Sequence, residues 1–484
     1  MTPTRKQAAE LLDCYQNERF SEAENLAIVL VDKFPTDSFA WKILVGVFLA
    51  TGRLDEAHDA CREMVKFSPR DPEAHYNLGV AQQRLGKLAN AEKSFLKAIT
   101  LQPNYAEAHC NLGIMQQQLG RLAEAEKSFG QAISLKPEFA EAHNAIAIVF
   151  KQTGRLEEAE ASYKTAIAVK PDFVNARVNY GNTLSEMGNF KEAEINYKQA
   201  LALRPSDAKA CWCLHGIQKT LQSAEYWIEK CLEIDGNHTA AKLTKAALKF
   251  YRGEREEFDR LMRSELRNHP YMRSFNWVFN LPNLPELYFN RWYFFDAIVK
   301  KSNVRRPFYE FGVWRGTSFR YFMDVFKKGF GFDTFLGLPE DWVVGAAVEK
   351  EGFYSSNGRV PDIEGGQFIV GQFEDTLPTF FSESRPVASL INFDADLYSS
   401  TICALKYCRS VIDENTILIF DEFLINEGWE NDEHKALIEF CSIFGFSYEV
   451  LAVSFFSKQV ALRLERIKCS SNQNLKYAHT SKDK

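Results

Sequence analysis

The sequence predicts two kinds of structure in one chain, an N-terminal all-α solenoid followed by a C-terminal α/β unit with a mostly parallel sheet. Three observations lead to this prediction. Residues at fixed positions recur every 34 residues in the first half, and short apolar runs alternate with helical segments in the second half. The composition is that of a globular protein, with 46% hydrophobic and 25% charged residues among 484, which excludes collagen-like, low-complexity and disordered classes.

The 34-residue period appears when the segments beginning at Ser38, Pro72, Ala106, Ala140 and Val174 are aligned. The eighth position is Gly or Ala in four of these segments, and the twentieth is alanine in all of them. The twenty-fourth position is aromatic in four, the thirty-second is proline in all, and a glycine lies near the middle of each segment. Small residues let two antiparallel helices approach, the aromatic ring fills the space beside them, and the proline ends the second helix. The period therefore predicts a stack of helical pairs.

This pattern resembles the tetratricopeptide repeat, and the resemblance is clear over residues 38–207. Residues 4–37 are interpreted as a degenerate first repeat, and the segment from residue 207 to 270 as helical pairs in which the columns are lost. We therefore expect a tetratricopeptide-repeat solenoid over residues 1–270. Such arrays commonly bind proteins or peptides on their concave face, and the alternative is a spacer or an oligomerisation device.

Residues 271–302 are rich in aromatic side chains, and their period predicts a junction helix between the solenoid and the next domain. A membrane-interface belt is the alternative for this segment. The chain then continues as a predicted α/β domain over residues 303–466 and a polar tail over residues 467–484.

Five apolar runs in the α/β domain predict parallel strands: RPFYEFGV, KGFGFDTF, QFIVGQF, VASLINFDADL and TILIFDEFL. Two further runs, SYEVLAVSF and KQVALRLER, are joined through Ser457 and Lys458 and predict a closing antiparallel hairpin. This order is the one expected of a Rossmann-like class I methyltransferase domain. In such sheets a ligand binds beyond the carboxyl ends of the strands, so the polar residues at those ends are the candidate site residues.

A glycine-containing turn follows the first of these strands. The segment Glu310-Phe311-Gly312-Val313-Trp314-Arg315-Gly316 lets the backbone approach a ligand and turn into a helix whose N-terminal amides face it. Asp333 ends the second strand, 23 residues after Glu310, where a carboxylate suits the hydroxyl groups of a ribose. The pattern favours a nucleoside ligand, and the absence of a GxxxxGK[ST] motif argues against a nucleoside triphosphate.

Four carboxylates lie at the ends of two adjacent predicted strands. Asp394 and Asp396 end the fourth strand, and Asp421 and Glu422 end the fifth. Carboxylates that converge on one point repel each other unless a cation lies among them, and oxygen-only ligands indicate Mg²⁺. A solvated acidic rim is the alternative interpretation.

The segments YEFGVWRGTS, GFDTFLGLPEDW, VGQFEDTLP, FDADLYSST and IFDEF, in this order, resemble the TylF-type O-methyltransferases, a family that includes macrocin O-methyltransferase. The resemblance covers roughly Phe308 to Phe440. It implies an enzyme that uses S-adenosylmethionine and a Mg²⁺ ion to methylate a sugar hydroxyl. Two departures are that Asp421-Glu422 stands where the macrolide enzymes have paired aspartates, and that the loop LINEGWENDEHKAL is long and acidic.

The resemblance assigns roles to individual residues. Glu310, Gly312 and Gly316 would hold the methionine end of the cofactor, and Asp333 would bind its ribose. The adenine would be lined by Gly371, Gln372 and Phe373. The metal ligands would be Asp396, Asp421 and Glu422, and Asp394 would be the general base.

His434, in the long loop, is a second candidate base, and a surface helical histidine is the alternative for it. The segment between Trp342 and Gly366 is interpreted as a lid loop over the substrate.

The expected function is therefore Mg²⁺-dependent O-methylation of a sugar or glycan, with the repeats recruiting a protein partner. Two alternatives stay open: a repeat-based scaffold whose methyltransferase domain is inactive, and a protein methyltransferase whose substrate is delivered by the repeats.

The charge distribution is consistent with a cation site and argues against nucleic acid. The formal net charge is -6, and the stretch from Gly371 to Phe440 holds fourteen acidic residues against four Lys or Arg. No run of eighteen apolar residues and no signal-peptide core occurs, so we expect a cytoplasmic protein without a membrane span. The ten cysteines show no metal-binding spacing and are expected to be reduced and buried, and self-association of the chain stays open.

Overall fold

The computed structural model describes residues 2–345 and 347–467, and the polar tail at 468–484, with Cys469, lies outside the described residues. The chain forms two compact units that divide between Leu203 and Arg204. The predicted end of the solenoid at residue 270 falls inside the second unit. The physical reason is that Leu243, Phe258 and other apolar residues of this segment belong to the same hydrophobic cluster as the sheet.

The first unit consists of six helical pairs within its described residues. Their bounds are α1 (Arg5–Gln16), α2 (Phe20–Lys33), α3 (Ser38–Ala50), α4 (Leu54–Phe67), α5 (Pro72–Arg84), α6 (Leu88–Leu101), α7 (Ala106–Gln118), α8 (Leu122–Leu135), α9 (Ala140–Gln152), α10 (Leu156–Val169), α11 (Val174–Glu186) and α12 (Phe190–Leu203). Each predicted repeat from residue 38 onward is one pair, and residues 4–37 form the degenerate first pair.

The small residue at the eighth position of the repeat contacts the aromatic ring at the twenty-fourth. A Cβ atom added at Gly113 would lie 2.7 Å from a ring carbon of Phe129, and one added at Gly181 would lie 2.5 Å from a ring carbon of Tyr197. Glycine at this position is therefore a packing requirement of the helical pair. The mid-repeat glycine is required for a different reason, because it allows a backbone conformation that other residues rarely adopt. Gly120, for example, has a φ of +75° and open space around its α-carbon.

Hydrogen bonds between neighbouring repeats also recur with the period. Arg155 donates to Glu126, and Arg53 donates to Glu24, each pair 29 residues apart. The first helices of consecutive pairs contact one another more closely than the second helices do. In a curved array the closer helices lie on the inner side, so α3, α5, α7, α9 and α11 line the concave face of this unit.

The second unit begins with helices and continues into a sheet. Its helices are α13 (Ala208–Gly216), α14 (Leu221–Ile234), α15 (Thr239–Tyr251), α16 (Glu256–Met262), α17 (Pro270–Phe279), α18 (Arg291–Lys300), α19 (Thr317–Phe326), α20 (Phe373–Phe380), α21 (Tyr398–Cys408) and α22 (Glu433–Phe444), with 3₁₀ turns at Glu265–Asn268, Arg409–Val411 and Trp429–Asn431. Its strands are β1 (Glu286–Tyr288), β2 (Phe308–Phe311), β3 (Gly329–Asp333), β4 (Trp342–Val344), β5 (Ala347–Glu349), β6 (Gly366–Val370), β7 (Leu390–Phe393), β8 (Ile417–Phe420), β9 (Phe446–Ser454) and β10 (Val460–Arg466).

Eight of these strands form a mixed sheet in the order β1-β9-β10-β8-β7-β2-β3-β6. The central strands β6, β3, β2, β7 and β8 are parallel, and β10 runs antiparallel to both of its neighbours. The predicted parallel strands and closing hairpin are therefore present. The hairpin connection is longer than the two residues expected, because β9 ends at Ser454 and β10 begins at Val460.

The segment predicted as a single junction helix holds more than that. It contains most of α17, then β1, then α18, and β1 adds an edge strand parallel to β9. The strand β1 has only three residues, so its alternation of apolar and polar side chains is too short to be recognised in a segment this rich in aromatic residues.

Apolar side chains cover both faces of the sheet. Tyr309 and Phe311 point into one hydrophobic cluster, and Phe308 points into the other. On the first face, the rings of Phe332, Phe311, Phe393 and Phe420 stack in that order across four neighbouring strands, with centroids 4.8 to 5.4 Å apart. This phenylalanine ladder fixes the strand ends that carry the candidate site.

Within the described ranges no helix is long and apolar enough to cross a membrane. Nine of the cysteines lie in these ranges, and all but Cys403 are buried. The predicted lid segment contains the small antiparallel pair of β4 and β5.

Candidate functional site at the carboxyl ends of the strands

The candidate site begins where the phenylalanine ladder ends. The residues after the four ladder phenylalanines are Asp333, Gly312, Asp394 and Asp421, and the backbone ladder continues through them. The amide of Asp394 donates to the carbonyl of Phe311 (2.8 Å), and that of Asp421 donates to Phe393 (3.0 Å). The strand register therefore brings the predicted cofactor and carboxylate residues to one edge of the sheet.

Glu310 is the most deeply buried ionisable group of the first strand end. Its side chain has no solvent exposure, and one carboxylate oxygen accepts a hydrogen bond from Ser318 at the start of α19 (2.7 Å). The other oxygen, Oε2, has no partner among the described residues. Burial raises the pKa of Glu310 to about 8, with smaller contributions from Asp421 and Asp333 that are opposed by Ser318 and Arg291.

The turn between β2 and α19 requires its glycines. Gly312 has a φ of +87°, and a Cβ atom there would lie 1.8 Å from the carbonyl oxygen of Asp394. Gly316 caps α19 with a φ of +76°, and a Cβ atom there would press on Ile363 and Pro361. The structure thus places both predicted cofactor-binding glycines in the turn that follows Glu310.

Asp333 holds this turn from the neighbouring strand. One of its carboxylate oxygens accepts from the amides of Val313 and Trp314 (both 2.7 Å), and the other accepts from the amide of Phe335 (2.6 Å). Asp333, the predicted ribose ligand, therefore anchors the β2–α19 turn, and no local pattern in the sequence predicts this role.

The predicted adenine residues follow β6 next to Asp333. The amide of Gly371 donates to the carbonyl of Asp333 (3.0 Å), and Gln372 is the exposed residue before α20. Phe373 is buried, and its ring packs edge-on against Phe311 with centroids 5.7 Å apart. Gly371 and Gln372 are placed at the site edge, whereas Phe373 belongs to the core beneath it.

Asp421 and Glu422 lie close enough to Asp394 and Asp396 to affect the pKa values of these two carboxyl groups. Burial raises the pKa of Asp394 well above its usual value, and nearby Asp421 raises it further while Arg291 opposes the change. Burial likewise raises the pKa of Asp396, with Glu422 and Asp421 adding to the effect and Lys458 opposing it. Asp396 has a φ of +58°, so its backbone lies in the left-handed region at the strand tip.

Two cations of the chain itself face these carboxylates. Asp421 accepts from Arg291, the first residue of α18, and from the buried Gln459. Glu422 accepts from Lys458 (2.9 Å). No set of three His, Cys, Asp or Glu side chains within residues 2–345 and 347–467 is arranged as metal ligands.

As arranged, the donor set does not fit a magnesium ion, because two of its three predicted ligands are already bonded to cationic side chains. The arrangement therefore gives no support to a magnesium ion at this cluster, and no chemical step below depends on one.

Glu433, at the start of α22, is a fifth acidic residue near these four carboxylates, and it was not among the predicted site residues. It has no solvent exposure, and neither of its carboxylate oxygens has a described partner. Burial raises its pKa well above the usual range, with Asp396, Asp421 and Glu422 adding to the shift. The sequence pattern did not predict that Glu433 is buried, because a single Glu at the start of a helix is ordinarily exposed.

His434 follows Glu433 but faces elsewhere, because consecutive residues of a helix point about 100° apart. Its ring packs edge-on against Phe423, Trp429 and Trp277, with centroids 4.9 to 5.7 Å away. Burial lowers the pKa of His434 to about 4, so the imidazole is neutral at pH 7. The structure does not bring it to the carboxylates, and its predicted role as a base finds no geometric support.

The predicted lid supplies one group to the site edge. Tyr354, with a φ of +60°, packs edge-on against Trp314 with centroids 5.6 Å apart. Burial raises the pKa of the Tyr354 phenol, and Asp396 and Glu422 add to the change. The described lid segment therefore reaches the carboxylate end of the sheet.

Comparison with known protein families supports the prediction of tetratricopeptide repeats in the first unit. Residues 10–72, 72–105, 106–139 and 138–206 match tetratricopeptide repeat families. The segment from residue 10 to 206 is thus an array of tetratricopeptide repeats, as its period predicted. No curated protein sequence matches the chain.

Several solved structures are similar to part of the chain. One is the APC/C hetero-tetramer Cut9-Hcn1, with 17% identity over 48% of this chain and 47% of that one and a TM-score of 0.43. A tetratricopeptide repeat protein from Parabacteroides merdae has 18% identity over 51% of this chain and 99% of that one, with a TM-score of 0.41. A thermophilic TPR protein of Thermus thermophilus has 26% identity over 37% of this chain and 98% of that one, with a TM-score of 0.33.

Proposed function

We propose that this chain is an interaction protein whose repeat unit binds an extended segment of a protein partner. The observation that carries the proposal is the tetratricopeptide array over residues 10–206, together with the polar surface of its first helices. Repeat arrays present a continuous concave surface of this kind to extended ligands.

Half-buried amides lie along the concave face. Asn111 of α7 donates to the hydroxyl of Tyr76 on α5 (2.9 Å), and Asn179 of α11 donates to Asn144 of α9 (3.1 Å). Gln117 and Gln152 form a similar pair. A carboxamide both donates and accepts, which suits the alternating amides and carbonyls of an extended peptide backbone.

The test is selection of peptides from a random display library against the full chain, followed by affinity measurement. We expect selected peptides to lose about tenfold in affinity with Asn144→Ala/Asn179→Ala. The control is Lys97→Ala, an exposed substitution on the second helix α6, which should leave affinity unchanged. Peptides that bind both variants equally well would contradict binding by the concave face.

We propose, as a second function, that the α/β unit binds S-adenosylmethionine and transfers its methyl group to a hydroxyl. Two features of the second unit favour it: the parallel strands with an antiparallel β10, and the buried Glu310 whose Oε2 lacks a described partner beside a glycine turn. The cofactor, when bound, supplies an electrophilic methyl group on a sulfonium. The acceptor follows the sequence resemblance and is proposed to be a sugar hydroxyl, with a protein side chain as the alternative.

The residues of the chain would act as follows. Glu310, once ionised, pairs with an ammonium group brought to its free oxygen, and Gly312 keeps the turn open for the ligand. Asp394, at the neighbouring strand end, takes the proton of the acceptor hydroxyl. The acceptor oxygen, once deprotonated, would be the nucleophile to which a bound cofactor would supply its methyl group.

Calorimetric titration of S-adenosylmethionine into the full chain tests this function, with Mg²⁺ and with EDTA. We expect micromolar binding that weakens at least about tenfold in Glu310→Gln. Glu465→Gln, an exposed change at the end of β10, is the matched control and should bind normally. The absence of heat under every condition would exclude the nucleoside site and leave the repeat unit as the functional part.

A further inference from the structure

Two cationic side chains reach the carboxylates after β8 from separate elements of the α/β unit. Arg291 is the first residue of α18, and Lys458 lies in the connection between β9 and β10. Both lie outside the segment from Phe308 to Phe440 that carries the sequence resemblance. The predicted metal ligands and the cations that pair with them therefore come from different parts of the chain.

The register of the sheet brings the β9–β10 connection to two of the predicted metal ligands. Strand β10 runs antiparallel to β8, and its first residue lies opposite the last residue of β8. When this register is continued past the strand ends, Gln459 lies opposite Asp421 and Lys458 lies opposite Glu422. Hydrogen bonds join both of these pairs. The contacts thus follow from the strand pairing that forms the sheet.

Both carboxylate oxygens of Asp421 accept hydrogen bonds from the chain. Oδ2 accepts from the guanidinium of Arg291, and Oδ1 accepts from the side-chain amide of Gln459. The carboxamide oxygen of Gln459 accepts from the hydroxyl of Ser457 (2.7 Å), so its nitrogen is the end that faces Asp421. Asp421 and Gln459 are both buried. A divalent ion could therefore bind Asp421 only by displacing Arg291 or Gln459.

Glu422 is bound in a similar way through one of its oxygens. Oε2 accepts from Nζ of Lys458 (2.9 Å) and from the side-chain amide of Asn426. Lys458 also donates to the carboxamide oxygen of Asn426 (2.6 Å), which closes a cycle of three side chains. The backbone of Lys458 has a φ of +66°, so the connection turns sharply at the residue that supplies the charge.

Two monovalent side chains carry the same total charge as one divalent ion. Each of them pairs with one carboxylate, Arg291 with Asp421 and Lys458 with Glu422. A buried carboxylate needs a nearby positive charge or hydrogen-bond donors, and these contacts provide both. The chain itself therefore supplies what Mg²⁺ would supply to these two residues.

We propose that Arg291 and Lys458 take the place of a divalent cation at the end of β8, so that the α/β unit does not require a metal. In this proposal Asp421 and Glu422 position the strand ends and do not act as metal ligands. The proposal does not rest on methyl transfer, because its test measures metal binding and unfolding and not activity.

The probes are Mn²⁺, followed by electron paramagnetic resonance of the full chain, and Mg²⁺, followed by thermal unfolding. Mn²⁺ prefers the same oxygen ligands as Mg²⁺ and gives a signal that reports the unbound ion. We expect the wild type to bind Mn²⁺ no more tightly than a Kd of about 0.1 mM. Its unfolding midpoint should be the same in Mg²⁺ and in NaCl of equal ionic strength.

Arg291→Gln/Lys458→Gln removes both positive charges and leaves the carboxylates in place. This variant should bind Mn²⁺ at least about tenfold more tightly than the wild type, and Mg²⁺ should raise its unfolding midpoint. The matched control is Lys300→Gln/Lys406→Gln, which removes the same charge at exposed positions of α18 and α21 and should behave as the wild type.

The proposal is overturned if the wild type binds Mn²⁺ with a Kd below about 0.1 mM and loses this binding in Asp396→Asn. It is also overturned if the double variant gains neither affinity for Mn²⁺ nor stability from Mg²⁺. If the double variant fails to fold, as judged by circular dichroism, Lys458→Gln takes its place with Lys406→Gln as the control.

Discussion

The two units of this chain differ in whether their polar side chains have hydrogen-bond partners. In the repeat unit, charged and amide groups recur with the period and bond to one another between neighbouring repeats. In the α/β unit, Glu310, Asn392 and Glu433 are fully or almost fully buried and hold polar atoms without partners in the described residues. Because buried polar atoms in native proteins are nearly always satisfied, the comparison separates a unit whose polar side chains pair with one another from one in which several buried polar atoms lack described partners.

The largest effect expected from this comparison is in the repeat unit. Phe129 is fully buried in α8 against Gly113, so Phe129→Ala should lower the free energy of unfolding by about 3 to 5 kcal/mol, measured by urea denaturation. Leu96→Ala, at a position 45% exposed on α6, should cost less than about 1 kcal/mol. Equal losses in the two variants would show that the aromatic column is not what joins the helical pair.

Gly312→Ala should give the next largest effect, this time in the α/β unit. The new Cβ atom would collide with the carbonyl oxygen of Asp394, so we expect a loss of about 3 kcal/mol and of S-adenosylmethionine binding. Gly445→Ala is matched in backbone conformation, with a φ of +69°, but meets no described atom within 4 Å and should cost about 1 kcal/mol. Thermal unfolding and calorimetric titration of both variants would measure the difference, and similar results would contradict the close approach of β2 and β7.

The buried carboxyl of Glu310 should make stability depend on pH. Its pKa in the folded protein is about 8, above the usual 4.5, so between these values the folded state holds a proton that the unfolded chain has released. Stability should therefore fall as pH rises through this window, by about 1.4 kcal/mol per pH unit for this group, and level off above pH 8. The groups that set this pKa are Ser318, Arg291, Asp421 and Asp333.

Glu310→Gln tests this dependence because the amide does not titrate. Urea unfolding at pH 5, 6, 7 and 8 should show a shallower decline in the variant, while Asp394, Asp396 and Glu433 still contribute a decline of the same sign in both proteins. Parallel curves for the two proteins would rule out the buried, protonated Glu310.

The smallest effect belongs to the ion pairs between repeats. Arg155 donates to Glu126 (2.7 Å) and to Glu158 (2.6 Å), and all three side chains are partly exposed. Arg155→Met should cost less than about 1 kcal/mol by urea denaturation, and the difference should shrink in about 1 M salt. A larger loss of unfolding free energy that does not depend on salt would mean that the aliphatic part of Arg155 stabilises the helical pairs by packing, as the aromatic residues at the twenty-fourth position do.

How much of the structure the sequence predicts also differs between the units. Five copies of one pattern reinforce each other, so the helical pairs and their glycine–aromatic contacts follow from the alignment alone. In the α/β unit, the apolar runs predict β2, β3, β6, β7 and β8, and Gly312, Asp333, Asp394 and Asp421 lie at the carboxyl ends of four of these strands. The three-residue strand β1 and the length of the β9–β10 connection depend on tertiary contacts that no local pattern records.

The partners of the site residues were the least predictable. Arg291 and Lys458 lie far in sequence from Asp421 and Glu422, and nothing local distinguishes them from other cationic residues. Glu433 and His434 are neighbours in sequence, yet Glu433 lies near the carboxylates and His434 packs against tryptophan rings. The reason is that consecutive side chains of a helix point about 100° apart. The acidic residues of the candidate site could thus be predicted from the ends of the strands. The cationic residues that pair with them could be identified only from the folded structure.

The 29-residue spacing of the Arg–Glu pairs implies that the repeat unit keeps these contacts when it changes length by whole periods. If residues 106–139 were removed, Arg155 would take the place of Arg121 and meet Glu92, and each remaining glycine would keep its aromatic partner. A deletion one residue shorter or longer would change the length of the turn at the junction, and the pairs on its two sides would then meet at a spacing that differs from the native one. Contacts between neighbouring repeats are therefore kept best when this part of the molecule grows or shrinks in steps of 34 residues.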